Sequence, residues 1–418
     1  MKIFRPEVTE KGEDVYISAR VETTSCPVDL PDTLWFSFPR KFCDHVSGDL
    51  NGFAVALLPL AMTLGEDLHM EGVLSPRLLS GMEEYQRIQC AWKPSPFLPV
   101  SLKPDTLQPM TAVSAGAGVG CSFSGGVDSA YTLWRHLPEN EPIRNYRISH
   151  CLMINGFDAD TDLDSSGKFS RVEQVMQPMM SRLGTELVVC KTNYMAFSDP
   201  NILKQSFAAM VTSPALVLGG LFSSFYIPSS LRFDDFLREG SHPMLDHLIA
   251  TETMETIHDS SHLKRTDKVR AISHWSETYS TLRVCFGETG YNEETNTIQN
   301  CCRCEKCIRT MKALELCGGL KNYKTFPRRL SHFNVWICNL GFKWSQVFAK
   351  EIILEAFKAR RFSIAMDYCI AIVITKLFKF PRMFLLQILL FIEKRSGSNT
   401  KQVRRITPGR GNKPRMIK

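Results

Sequence analysis

Residues 119–134 pass from an apolar run, Val119 to Phe123, through Ser124-Gly125-Gly126 into Val127-Asp128-Ser129-Ala130-Tyr131-Thr132-Leu133-Trp134. That order reads as a strand, a tight glycine turn and a helix, which ties this part of the chain to an α/β design. Adjacent glycines admit positive φ and close backbone approach, so successive N–H groups can converge on one small space. The helix beginning near Asp128 adds unpaired N–H groups and the positive end of its dipole. Together they form an anion site suited to pyrophosphate. The lysine-bearing phosphate loop is excluded, because no Gly-Lys-Ser or Gly-Lys-Thr follows the glycines.

The following sequence repeats the alternation. Cys151–Ile154 and Glu186–Cys190 read as strands, Phe169–Leu183 as a helix, Phe207–Phe222 as an apolar helix and Ser224–Ile227 as another strand. Such alternation predicts a doubly wound parallel sheet with ligands at the carboxyl ends of its strands. Asn155, Gly156, Phe157 and Asp158 follow the second strand and are expected near the ligand, with Asn193 after the third as a further candidate. Asp158, Asp160, Asp162 and Asp164 form an acidic loop able to hold Mg²⁺ or simply to be solvated.

A second constellation is Cys301-Cys302-Arg303-Cys304-Glu305-Lys306-Cys307, with Cys285 upstream. Cys301, Cys304 and Cys307 give C-x₂-C-x₂-C, and Cys285 is the natural fourth ligand of a tetrahedral zinc site. An iron–sulfur cluster accepts the same spacing. Cys301 and Cys302 can exchange as ligand on sequence grounds alone.

The Ser124–Ser129 run resembles the Ser-Gly-Gly-x-Asp-Ser signature of the PP-loop ATP pyrophosphatase superfamily, and the added cysteines resemble its 7-cyano-7-deazaguanine synthase branch in the queuosine pathway. The resemblance covers about the middle half of the chain. It implies that Ser124, Gly125, Gly126 and Ser129 hold the pyrophosphate end of ATP, with Asp128 and Ser129 at the catalytic centre and Asp128 acting through Mg²⁺. It further implies a structural Zn²⁺ on Cys285, Cys301, Cys304 and Cys307. The expected chemistry is adenylation of a carboxylate or carbonyl oxygen, giving AMP and pyrophosphate, for attack by ammonia or an amine. The small acid and its nitrogen nucleophile stay open, because Cys302 stands where the branch usually has glycine and long segments flank the motifs. Protein-modifying relatives in defence loci, sulfur transfer to tRNA and a non-catalytic nucleotide-binding scaffold are the alternatives.

Between Arg232 and His274 the chain is dense in polar groups, among them Ser241, His242, Asp246, His258, Arg265 and Lys268. A substrate loop is expected there. Arg265 and Lys268 lie one helical turn apart and can clamp phosphate charge, although an exposed basic helix face reads equally well. His242, a lone histidine before Pro243, suits a turn cap better than an acid–base role.

Residues 1–112 read as a strand-rich N-terminal domain, marked by the alternation of Val15, Ile17, Ala19 and Val21, by Leu34–Phe38, and by a helix over Ser75–Ile88 entered at Ser75-Pro76. Residues 113–330 are the ATP domain, entered through a small-residue linker at Ser114–Gly118. Residues 331–395 are a helical extension, with a break expected at Pro381. Residues 396–418 are expected to form a disordered basic tail.

Residues 394–418 hold nine Lys or Arg and no acid, more than the whole chain's net +7, so the remainder is slightly acidic. The tail is expected to be solvated, with weak nucleic-acid or membrane-surface contact as the functional alternative. The apolar runs Ile370–Ile374 and Phe384–Ile392 are each too short to span a bilayer. A charged start at Met1-Lys2-Ile3-Phe4-Arg5 and abundant cysteines fit a reduced, cytoplasmic chain.

Overall fold

The computed structural model describes residues 1–26, 29–111, 117–157, 167–199, 201–235, 238–285 and 290–377. The chain begins with β1 (Lys2–Ile3), β2 (Glu7–Lys11), β3 (Asp14–Glu22), β4 (Thr33–Pro39), α1 (Asn51–Leu64), β5 (Leu68–Leu74), α2 (Pro76–Ala91) and β6 (Leu102–Leu107). There follow β7 (Gly118–Ser122), α3 (Val127–Arg135), β8 (His150–Asn155), α4 (Lys168–Leu183), β9 (Glu186–Thr192), α5 (Phe207–Val217), β10 (Phe222–Pro228), β11 (Glu255–Asp259), α6 (Arg265–Ile272) and α7 (Thr278–Thr281). The remaining elements are β12 (Gly290–Asn292), β13 (Thr297–Gln299), α8 (Glu305–Leu316), α9 (His332–Trp336), α10 (Lys343–Lys358) and α11 (Phe362–Leu377).

One large sheet runs in the order β11-β10-β7-β8-β9-β4-β3-β1-β5-β6, with β2 also paired to β3. Pairing is parallel from β11 to β9, antiparallel from β9 through β4 and β3 to β1, and parallel again through β5 and β6. The parallel half is an α/β layer wound on both faces. Strand alternation sorts its side chains: Val188 and Cys190 of β9 join Phe225 and Ile227 of β10 beneath α5, while Leu187 and Val189 join Cys121 and Met153 beneath α3 and α4. The chain leaves β7 toward β8 and β9, then returns to place β10 and β11 on β7's other side. The carboxyl end of β7 is therefore a topological switch point, the usual ligand crevice of such sheets.

The N-terminal strands are not set apart from this layer. The sequence drew a boundary at residue 112, but Phe36 and Ser37 of β4 pair with Thr192 and Lys191 of β9. Phe36 and Phe53 share one core with Val188 and Phe225. Residues Met1–Arg329 form a single compact unit. The cause is α1, which is buried from Asn51 through Met62 and packs on α5. Gly52 permits that approach, since a Cβ there would lie 2.5 Å from Val217 Cγ2 and 2.7 Å from the Ser213 carbonyl oxygen.

The second unit starts at Leu330 and is described as far as Leu377. Within it Asp367 of α11 accepts hydrogen bonds from Trp336 Nε1 at 2.8 Å and pairs with His332 Nδ1 at 2.8 Å, fixing α9 on α11. Pro381, Phe384–Ile392 and the basic tail lie outside the described residues, as do Asp158, the rest of the acidic loop and residues 114–116 of the expected linker.

Helix α3 is clasped at its C-terminal end. The buried Asp259 carboxylate at the end of β11 accepts hydrogen bonds from Thr132 Oγ1 at 2.7 Å and Ser260 Oγ at 2.5 Å, and it pairs with Arg135. Burial alone would raise this carboxyl's pKa, but His136, Ser260, Thr132 and the Arg135 charge outweigh it and hold the group well below the usual range. A depressed pKa contributes stability that is present above the unfolded value, about 4, and is lost as pH falls toward the folded one. Asp259→Asn is expected to cost about 2 kcal/mol at neutral pH and to flatten the acid limb of a melting-temperature-against-pH curve. An unchanged acid limb would remove Asp259 as the clasp.

Candidate active site and metal centre

The Ser-Gly-Gly turn leaves the carboxyl end of β7 and enters α3 directly. Gly125 sits at φ +73°, a left-handed conformation that selects glycine. The Ser129 hydroxyl folds back to donate to the Gly126 carbonyl at 3.2 Å and accepts from the Ser124 amide at 3.3 Å. Ser124 Oγ in turn accepts from the Gly126 amide at 3.4 Å. The turn is held by its own hydroxyls, with the first amides of α3 behind it.

Asp128, in the first turn of α3, is where the expected residues converge. Arg265 pairs with its Oδ2, Ser230 Oγ donates to the same oxygen at 3.1 Å, and Lys268 Nζ lies 3.8 Å from Oδ1. Oδ1 itself is buried without a hydrogen bond. Burial would raise the Asp128 pKa, but the Arg265 and Lys268 charges, with Arg309 beyond, keep it below the ordinary value. Arg265 and Lys268 therefore do not form an exposed basic face. Their side chains are 10% and 1% exposed, because the first turn of α6 packs against α3.

Sequence reasoning missed two further cations on α8. Lys306 and Arg309 bring their charge toward the same carboxylate, and Arg309 is also bonded to Glu305 at 3.4 Å. Burial, with Arg309 and Arg265 nearby, pushes the Lys306 ammonium down to about 7. Lys306 and Arg309 lie three apart on one helix, but nothing in the local sequence shows that α8 packs against α6. Around Asp128 the structure gathers more positive than negative charge beside a helix N-terminus, which is an environment for a polyanion.

The four expected cysteines meet. Sγ atoms of Cys285, Cys301, Cys304 and Cys307 all lie within 4.8 Å of one another. Individual separations are 3.9 Å for Cys285–Cys304, 3.7 Å for Cys301–Cys307 and 3.4 Å for Cys304–Cys307. Four sulfurs at about 2.3 Å from one tetrahedral ion stand about 3.8 Å apart. The set thus fits a single ion such as zinc, whereas a cluster places several irons between its thiolates. The amides of Arg303 and Cys304 point at Cys301 Sγ from 3.4 and 3.3 Å. Cys302 takes φ +57° and turns its thiol to the Asn300 carbonyl at 3.4 Å, which settles the choice in favour of Cys301.

Asn300 joins the two cysteine segments. Its Oδ1 accepts from the amides of Val284 and Cys285 at 2.8 and 3.1 Å, and its Nδ2 donates to the carbonyls of Leu282 and Thr325 at 2.9 and 3.1 Å. Two residues before Cys285, the Arg283 amide donates to the Gly125 carbonyl at 2.8 Å. The cysteine centre and the glycine turn are consequently linked through one short segment.

Other expected residues go elsewhere. Asn193 accepts from the Trp35 amide at 3.0 Å and donates to the Thr33 carbonyl at 2.8 Å, so it extends the sheet rather than facing a ligand. His242 Nδ1 accepts from the Met244 amide at 3.1 Å, as a turn cap does. Ser241 Oγ and His258 Nδ1 both meet Asp246 Oδ2, at 2.8 and 2.6 Å, which locks the 240–248 loop to β11. Both use the same carboxylate oxygen, so the trio has no relay geometry. Among the described residues no helix is long and apolar enough to cross a membrane.

Compared with protein-family models, curated proteins and solved structures, the chain shows no match. The functional reading therefore rests on the site itself.

Proposed function

We propose that this chain is an AMP-forming ATP pyrophosphatase that activates a carboxylate or carbonyl oxygen for attack by ammonia or an amine. The observation that carries the reading is the convergence of Arg265 and Lys268 on Asp128, beside a hydroxyl-braced Ser-Gly-Gly turn at the switch point. Amides and hydroxyls of Ser124, Gly125, Gly126 and Ser129 would bind the departing pyrophosphate, and Arg265 and Lys268 would neutralise its charge. Asp128 would be the residue to hold Mg²⁺, and the ion would supply neutralisation of phosphate charge. Zinc on Cys285, Cys301, Cys304 and Cys307 would hold the Leu282–Cys285 segment against the turn without entering the reaction. The acid activated and its nitrogen donor follow only from the resemblance to deazaguanine nitrile synthesis.

Sulfur transfer is less well supported. Cys121, Cys151 and Cys190 are wholly buried, and burial raises their thiol pKa far from nucleophilic range. The test is incubation of the purified chain with ATP, Mg²⁺, ammonia and a panel of carboxylic acids, scored for AMP and pyrophosphate. Arg265→Gln is expected to lower AMP formation about a hundredfold. Tight ATP binding without AMP release for any acid would replace the enzyme with a nucleotide-binding scaffold.

A further inference from the structure

The helical unit after Leu330 carries a surface that the proposed chemistry leaves unused. Helix α11 is apolar on two sides. Ile364, Ala365, Tyr368 and Ala371 are buried, whereas Phe362, Met366, Val373 and Leu377 are 58%, 62%, 53% and 69% exposed. These four fall at i, i+4, i+11 and i+15, with exposed Cys369 filling the i+7 position, so they form one stripe along the helix. Phe357 at the end of α10 continues it, its ring 5.9 Å from that of Phe362 and half exposed. A helix with a second apolar face needs something to cover that face.

Charge identifies the cover. Lys343, Lys350, Lys358, Arg360, Arg361 and Lys376 are all exposed, whereas Glu355 and Asp367 are buried and Glu351 is half-buried. Glu355 is moreover paired with Lys358 at 2.9 Å. The described part of this unit therefore presents apolar side chains rimmed by cations and no exposed carboxylate. A second copy would bring two cationic rims together, which opposes self-association. The sequence beyond it repeats the theme, with apolar Phe384–Ile392 followed by nine cations and no acid in 394–418. The 16 described residues of α11 fall short of a bilayer span, and their stripe suits a helix lying in the plane of an interface.

We propose that this unit docks on an anionic lipid surface, seating Phe362, Met366 and Val373 in the headgroup–acyl boundary with the surrounding cations on the headgroups. The inference stands apart from the ATP chemistry. Co-sedimentation of the full chain with phosphatidylcholine vesicles, with and without about 30% phosphatidylserine, tests it. The expected result is binding to the anionic vesicles, weakened by salt, and weak binding to the neutral ones. The triple substitution F362S/M366S/V373S, at exposed positions and with circular dichroism used to check that the fold is kept, should weaken anionic-vesicle binding about tenfold or more. Absence of vesicle binding by the parent overturns the proposal. So does a triple variant that binds as tightly as the parent, the result expected of a purely charge-driven contact. A parent dimer that the triple substitution dissociates in light scattering also overturns it, because the stripe would then cover itself.

Discussion

Cys304→Ser or Cys307→Ser is expected to abolish metal binding and to unfold much of the chain downstream of β11. Elemental analysis of the parent should find about one zinc per chain, and either variant close to none. The stability loss should be large, because structural zinc contributes apparent free energies of about 10–16 kcal/mol, comparable with the whole stability of a domain. The geometry says where the damage spreads. Cys304 and Cys307 open α8, and Cys285 is tied through Asn300 to the same knuckle. Without the ion these elements lose their common anchor, and Arg283 no longer holds the Gly125 carbonyl. Pyrophosphate affinity should therefore fall with metal content, although none of the four cysteines belongs to the proposed phosphate site. Cys302→Ser is the matched control: its thiol faces the Asn300 carbonyl, a serine hydroxyl can donate there equally, and metal content should not change. Loss of zinc in Cys302→Ser, or its retention in Cys304→Ser, would refute this ligand set.

Local chemistry made much of this legible in advance. Glycine at positive φ, serine as a cap and cysteine as a ligand act over a few residues, so the strand–turn–helix, the Ser75-Pro76 helix entrance and the four-thiol centre could be placed from neighbours alone. Ser75 does accept from the Leu78 amide at 3.1 Å. What failed was long-range assembly. The stretch that became α1 is buried on all sides, so it carries no amphipathic period to read. Its neighbour α5 is buried from Ala208 to Val217 for the same reason, and the packing of one on the other fuses the N-terminal strands into the main sheet. Asn193 was misplaced by a related error. A polar residue after a parallel strand suits a ligand crevice, but β9 is followed there by an antiparallel neighbour that consumes both ends of the amide. The contributions of Lys306 and Arg309 required knowing that α8 faces α6, a contact that no local pattern encodes.

Asp128→Ala should separate the structural from the functional use of the cation cluster. In the free protein the carboxylate is the counter-charge for Arg265 and for Lys268, both nearly buried. Removing one partner of a buried pair leaves uncompensated charge, at a cost of about 3–5 kcal/mol, so the variant's melting temperature should fall by several degrees. Lys268 keeps the Ser229 carbonyl as a partner, which limits its share of the penalty. The carboxyl's depressed pKa fixes the sign of the pH effect: its stabilisation is present above about pH 4 and disappears as pH falls through the lower folded value. Acid should therefore weaken the parent and leave the variant less affected. Pyrophosphate without Mg²⁺ supplies the decisive comparison. In the parent Asp128 already neutralises the cations and repels the added anion, so the thermal shift should be small. In Asp128→Ala the anion takes the place of the missing carboxylate, and the shift should be larger. If the proposed chemistry holds, AMP formation should move oppositely, falling about a thousandfold or more, because the carboxylate proposed to hold Mg²⁺ is gone. If pyrophosphate shifts neither protein, Arg265 and Lys268 serve only to hold α6 on α3, and the cluster is a structural clasp rather than a phosphate site.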